Sequence, residues 1–165
     1  MKKFLLFSVL ILTGCSGHKM ISDIQQLNPE NCPKNGACTI EIMHGKALDV
    51  KTDGTGKLYY ALQDAKEKSV IKYTYSKHSN PEYQDDFYDE EVVFEVDKTT
   101  SKLNLTGKDI QKTKMLFGVK CFCKGKAGYY KVNSGSLHYR KKQFTISVPE
   151  LVEGQLTKNI IMSLK

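Results

Sequence analysis

From Cys38 onward the apolar side chains recur at every second position, and that period most constrains what this chain can fold into. Ile40 and Ile42, Leu48 and Val50, then Leu58, Tyr60 and Leu62 alternate with polar or small neighbours. Ile71, Tyr73 and Tyr75 continue the pattern, as do Val92, Phe94 and Val96. Successive side chains of a strand point to opposite faces, so each run describes a strand with one buried face. Met115, Phe117, Val119, Cys121 and Cys123 share one face of a longer strand. Tyr130 with Val132, Leu137 with Tyr139, Phe144 with Ile146 and Val148, and Leu156 with Ile160, Met162 and Leu164 bring the total to about ten short strands.

Turn formers separate these runs: His44-Gly45-Lys46, Asp53-Gly54-Thr55-Gly56, Gly125-Lys126-Ala127-Gly128, Asn133-Ser134-Gly135 and Glu153-Gly154. A local helical preference survives only over residues 62–68 and 106–111. Half-apolar strands in such number bury best as an all-β, antiparallel two-sheet β-sandwich or a partly closed barrel.

The chain opens with Met1-Lys2-Lys3 and an apolar stretch from Phe4 to Leu12. That stretch is too short to span a bilayer, which takes about 20 residues. A positive start, a short apolar run and small residues at a cut describe a secretory signal helix. Leu12-Thr13-Gly14-Cys15 resembles the lipobox of bacterial lipoproteins. The resemblance implies cleavage before Cys15, a diacylglycerol on its sulfur and a further acyl chain on the new amine. Two or three acyl chains hold a protein on a membrane effectively permanently, because each buried methylene adds about 0.8 kcal/mol.

Ser16 stands where an Asp would retain such a protein in the inner membrane, and the residues after Cys15 are not acidic. The expected address is the periplasmic face of the outer membrane. The chain also has the overall look of small lipoproteins of Bacteroidetes-like bacteria, a likeness that implies no activity. The expected organisation is a signal peptide over 1–14, a lipidated tether over 15–31 and one β domain over 32–165, a size that suits a single core.

Cys32, Cys38, Cys121 and Cys123 remain, an even number in a compartment where disulfides persist. In an extended strand Cys121 and Cys123 stand about 6.6 Å apart along the axis, while a disulfide needs Cβ atoms near 3.8 Å, so they are not expected to bond each other. Pro33, Asn35 and Gly36 turn Cys32 back toward Cys38, and chain entropy rewards a bridge over about 85 residues with roughly 4.6 kcal/mol against about 2.4 for the short ring. The expectation is cross-pairing, with Cys32 bonded to either Cys121 or Cys123. Were Cys32 and Cys38 bonded only to each other, Cys121 and Cys123 would form a dithiol for redox exchange or a soft metal such as Cu(I) or Zn, with His44 as a further ligand. Otherwise no cofactor is expected.

Charge is unevenly spread. Residues 82–97 hold eight acids and no base, and residues 112–142 hold nine bases and no acid. The acidic run Asp85-Asp86-Phe87-Tyr88-Asp89-Glu90 reads first as a solvated loop and second as a Ca²⁺ site. Alternatively the two blocks neutralise each other across a sandwich. Lys120, Lys124, Lys126 and Tyr129 form a candidate binding set for a glycan or lipid head group, although tyrosines on the inward face also suit a core. Arg140 is the sole arginine, which argues against nucleic-acid readout. His18, His44, His78 and His138 are scattered with no nucleophile or acid at a recognised spacing, so no catalytic residues are nominated. The function expected is a non-catalytic binding or accessory module on a lipid anchor, meeting an envelope protein or glycan, with thiol or metal chemistry at Cys121 and Cys123 as the alternative.

Overall fold

A computed structural model describes residues 19–79, 82–83 and 85–164. The expected signal helix and Cys15 lie outside the described residues. Ten strands form: β1 (Leu27–Pro29), β2 (Gly36–Thr52), β3 (Leu58–Lys77), β4 (Tyr88–Asp97), β5 (Leu103–Thr106), β6 (Leu116–Cys121), β7 (Gly128–Lys131), β8 (Ser136–Arg140), β9 (Gln143–Ser147) and β10 (Asn159–Leu164). They build two five-stranded antiparallel sheets, ordered β1-β10-β9-β8-β5 and β2-β3-β4-β6-β7. The β-sandwich expected from the period is the architecture observed. Among the described residues no helix is long and apolar enough to cross a membrane.

The alternating faces meet as anticipated. Ile71, Tyr73, Tyr75, Val92, Phe94, Phe117, Leu137, Tyr139, Phe144 and Ile160 are all buried in the core between the sheets. Phe144 stacks on Tyr139 and meets Phe94 edge-on, with centroids 4.5 and 5.8 Å away.

Two strands are far longer than the pattern suggests. Ile40 to Val50 belongs to one strand of 17 residues, and Leu58 to Tyr75 to one of 20. His44-Gly45-Lys46 is a bulge within the β2–β3 ladder rather than a hairpin turn, with Gly45 at a φ of 70°. The local helical preference over 62–68 yields to strand pairing, whereas the second such segment forms the 3-10 helix Gly107–Thr113. Beyond the bulge the hairpin bends across the outer face of the second sheet. There Leu48 packs with Val70, Val93 and Leu116 in a smaller core, and a bridge from Leu58 to Tyr129 joins β3 to β7.

The segment expected as a tether is largely part of the domain. Ile21 and Ile24 are fully buried, Leu27 nearly so, and Leu27–Pro29 pairs with β10 as an edge strand. A 3-10 turn forms over Ile21–Asp23, and the apolar side chains of this segment gain more by entering the core than by staying in water.

The β8–β9 hairpin turns through Lys141 and Lys142 alone, at φ of 51° and 66°. Such a turn suits Asn-Gly, because a side chain in the left-handed region costs about 1–2 kcal/mol. Lys142→Gly is therefore expected to stabilise the protein by about 1 kcal/mol, read as a higher urea midpoint at unchanged slope.

Candidate functional site

β6 ends at Cys121, and the chain turns through Phe122 and Cys123 instead of continuing extended. The cysteine Cα atoms come within 5.2 Å and their sulfurs bond. Cys32 bonds Cys38, with Cα atoms 5.8 Å apart, after the chain reverses through Asn35 at a φ of 60°. Both results overturn the expected cross-pairing. Cys38 lies on β2 and Cys121 on β6, with β3 and β4 between them, so three strand spacings separate the pairs by about 14 Å. No disulfide reaches that far.

Around the Cys121–Cys123 bridge lies a cleft of about 340 Å³ bounded by Lys77, Asp85, Phe87, Tyr88, Phe122 and Leu156. Phe122 is 72% exposed and meets Phe87 edge-on at 5.1 Å; Phe87, Tyr83 and Leu156 are exposed as well. Single exposed apolar residues are ordinary on a protein surface, but three of these four gather at one cleft. One wall is the loop between β9 and β10. Glu90, fully buried, holds that wall: its Oε1 accepts from Tyr88 Oη at 2.7 Å and Leu156 N at 2.8 Å, and its Oε2 from Thr157 N at 2.5 Å.

The acidic run opens as the expected solvated loop, with Asp85 and Phe87 exposed ahead of β4, but its end is not solvated. Glu90, Glu91 and Glu95 sit buried on β4, the first facing the loop and the other two beneath the folded hairpin. For Glu91 and Glu95 the signal in sequence was Val93, apolar on the face they share, which alternation assigned to solvent. The basic and acidic blocks meet there at two ion pairs, within one sheet and not across the sandwich. Lys120 Nζ donates to Glu91 Oε2 at 2.8 Å, and Lys114 Nζ to Glu95 Oε2 at 3.1 Å. Among the described residues no group of three or more acids, cysteines or histidines stands in metal-binding geometry, so the run from Asp85 forms no Ca²⁺ site there.

The expected binding set does not form one patch. Lys120 and Tyr129 converge on Glu91, whose Oε1 accepts from Tyr60 Oη at 2.7 Å and Tyr129 Oη at 3.1 Å. Lys126 Nζ is taken by the carbonyl of Glu153, and Lys124 is exposed. Tyr129 lies across β6 over Gly118, where any Cβ would collide with its ring. Burial first, then the charge of Glu91, pushes the Tyr129 phenol up to about 12, and the same factors hold Tyr60 far above its ordinary value. Burial opposes the Lys120 ammonium, but the hydrogen bond and charge of Glu91 outweigh it and raise its pKa.

Tyr129 therefore keeps its proton in the fold at pH values where the unfolded chain has lost it. Its contribution to stability is intact below pH 10 and is lost as pH climbs toward about 12. In a near-ultraviolet tyrosinate titration, Tyr129→Phe is expected to remove amplitude from the late phase. Amplitude missing near the ordinary phenol value instead would show Tyr129 to be exposed.

His44 cannot join the cysteines. Its ring nitrogens contact the Ile24 carbonyl at 2.8 Å and Ser69 Oγ at 2.9 Å. Its β3 partner is Ser69, whereas Cys121 pairs with Tyr88 near the far end of that strand, about 25 Å away at 3.3 Å per residue. The soft-metal site with His44 is thereby excluded. No protein-family model, curated protein or solved structure matches this chain.

Proposed function

We propose that the protein is a lipid-anchored module of the cell envelope, acylated at Cys15, that binds a partner protein through the cleft around Cys121-Phe122-Cys123. The carrying observation is the gathering of exposed Phe122, Phe87 and Leu156 at one cleft beside a buried clamp that fixes its wall. Exposed aromatic and aliphatic side chains at one cleft are the kind of surface that receives the apolar anchor side chains of a partner protein. The Leu-Thr-Gly-Cys motif supports the anchor.

Intact mass of the protein from solubilised membranes tests the anchor: cleavage before Cys15 and added acyl mass are expected. Photo-crosslinking from position 122 in intact envelopes tests the cleft. One discrete adduct, lost with Phe87→Ser and kept with Lys108→Gln on the 3-10 helix, is expected; no adduct, or one indifferent to Phe87→Ser, sinks the binding reading.

A second reading is favoured by the pairing of Cys32 with Cys38, which leaves Cys121 and Cys123 to each other. A bridge closing so small a ring supplies little chain-entropy stabilisation, about 1.6 kcal/mol. In this reading a thiolate of a partner dithiol attacks one sulfur, giving a mixed disulfide. The partner's second thiol then resolves it, leaving the partner oxidised and Cys121 and Cys123 as thiols. Thiol labelling after exposure to a dithiol peptide, with no labelling at Cys121 or Cys123, would dismiss it.

A further inference from the structure

The two ends of the sandwich differ in kind. At one end are the aromatic cleft and the β9–β10 loop. At the other is the β8–β9 turn, because Ser147 pairs with Asn159 and Gln143 with Ser163 across the same two strands. The N-terminal segment enters at this second end: Tyr139 Oη donates to the Lys19 carbonyl at 3.0 Å, and Ile21 N to the Thr100 carbonyl at 3.0 Å.

Cations collect there. Arg140, Lys141 and Lys142 are consecutive and exposed, Lys19 is exposed beside Tyr139, and exposed Lys102 precedes Leu103, the β5 partner of Tyr139. None of these five forms an ion pair among the described residues, whereas Lys46, Lys68 and Lys98 nearby are paired with Asp64, Asp97 and Glu67. A cleft of about 400 Å³ opens beside the turn, lined among others by His138, Arg140, Lys142 and Thr145, with no acid in its wall. At this end Asp23 is hydrogen-bonded to the Met20 amide and Glu30 to Ser163.

We infer that this end lies on the membrane, the Arg140-Lys141-Lys142 turn and Lys19 binding the head groups of anionic phospholipids. The inference rests on acylation of Cys15. Lys19 is four residue steps beyond Cys15, and a chain spans at most about 3.6 Å per step, so Lys19 is held within about 14 Å of the lipid surface. Cations near an anionic surface within a Debye length are attracted to it, about fivefold in equilibrium constant for each one. The cleft at Phe122 then faces away from the membrane, toward partners.

The chain has no tryptophan, so a single one reports its own surroundings. The lipidated full chain would carry Gln143→Trp or Phe122→Trp and be reconstituted into vesicles with a headgroup-attached spin-label quencher. In phosphatidylglycerol–phosphatidylcholine vesicles, position 143 is expected to be quenched and position 122 not. Quenching at 143 should fall in pure phosphatidylcholine, in high salt, and with Arg140→Gln, Lys141→Gln and Lys142→Gln together, which lower the apposed-to-free ratio by about 100-fold. Equal quenching at both positions, or at 143 with and without the three charges, would overturn the inference.

Failure of the anchor shows separately, as protein that does not float with pure phosphatidylcholine vesicles. The basic end is then judged by flotation with the phosphatidylglycerol mixture, where loss on removing the three charges supports it and equal flotation overturns it.

Discussion

Glu90→Ala is expected to cost about 4 kcal/mol of stability and to free the loop that walls the aromatic cleft. The carboxylate accepts from two backbone amides, Leu156 N and Thr157 N, and from the Tyr88 phenol, in a position with no exposure. Alanine leaves both amides without a partner, and each orphaned donor costs about 1–3 kcal/mol. It also leaves a void that water has little room to fill. Glu90→Gln keeps the shape and one acceptor oxygen, so about half that loss is expected. Urea denaturation measures both, and amide exchange should quicken at Leu156 and Thr157 well before the core strands. A midpoint unchanged in Glu90→Ala would show the loop to be held by other contacts. Adduct formation at position 122 should weaken with the alanine variant, since Leu156 would no longer be fixed at the cleft.

The second large effect concerns where the domain begins. Ile24→Ala is expected to destabilise the fold by about 3 kcal/mol, the usual cost of truncating a fully buried aliphatic side chain. A tether residue in water would show a change within about 0.5 kcal/mol. The measurement therefore separates a segment that belongs to the core from one that spaces the domain off a surface. It also bears on anchoring: with Ile21, Ile24 and Leu27 docked, only the residues between Cys15 and Lys19 are left to act as spacer. If Ile24→Ala melts like the parent protein, the short spacer and the membrane-apposed end both lose their basis.

What alternation could and could not reveal follows from how local each signal is. Val92, Phe94 and Val96 identified the inward face of β4 because burial of one face is written into a single strand. The same strand hid Glu91 and Glu95, whose burial depends on the hairpin crossing the outer face at Leu48 and Tyr60. Those partners come from residues 47 and 31 positions away. Glu90 was hidden in the same way, since its amide partners lie 66 and 67 residues on. Lys120 and Tyr129 were singled out for the charge and aromaticity of their neighbourhood, and they do share a site, gathered on the buried Glu91.

The cysteines teach a related point about register. Treating Cys121 and Cys123 as positions in one continuing strand kept their sulfurs apart, and the strand's end at Cys121 removed that premise. Loop-closure entropy favoured long bridges, yet it acts only on pairs the fold can bring together. Strand order placed β3 and β4 between them.

The sequence alone determined the all-β class, most of the inward residues and the turns at Asp53, Gly125 and Asn133, because strand periodicity and turn chemistry are settled by neighbours in the chain. Tertiary structure decided the length of the β2–β3 hairpin, the pairing of the cysteines, the burial of three glutamates and the docking of residues 20–29. Each of these depends on which surfaces meet in space, and the free energy of a contact between distant segments is not written in either segment by itself.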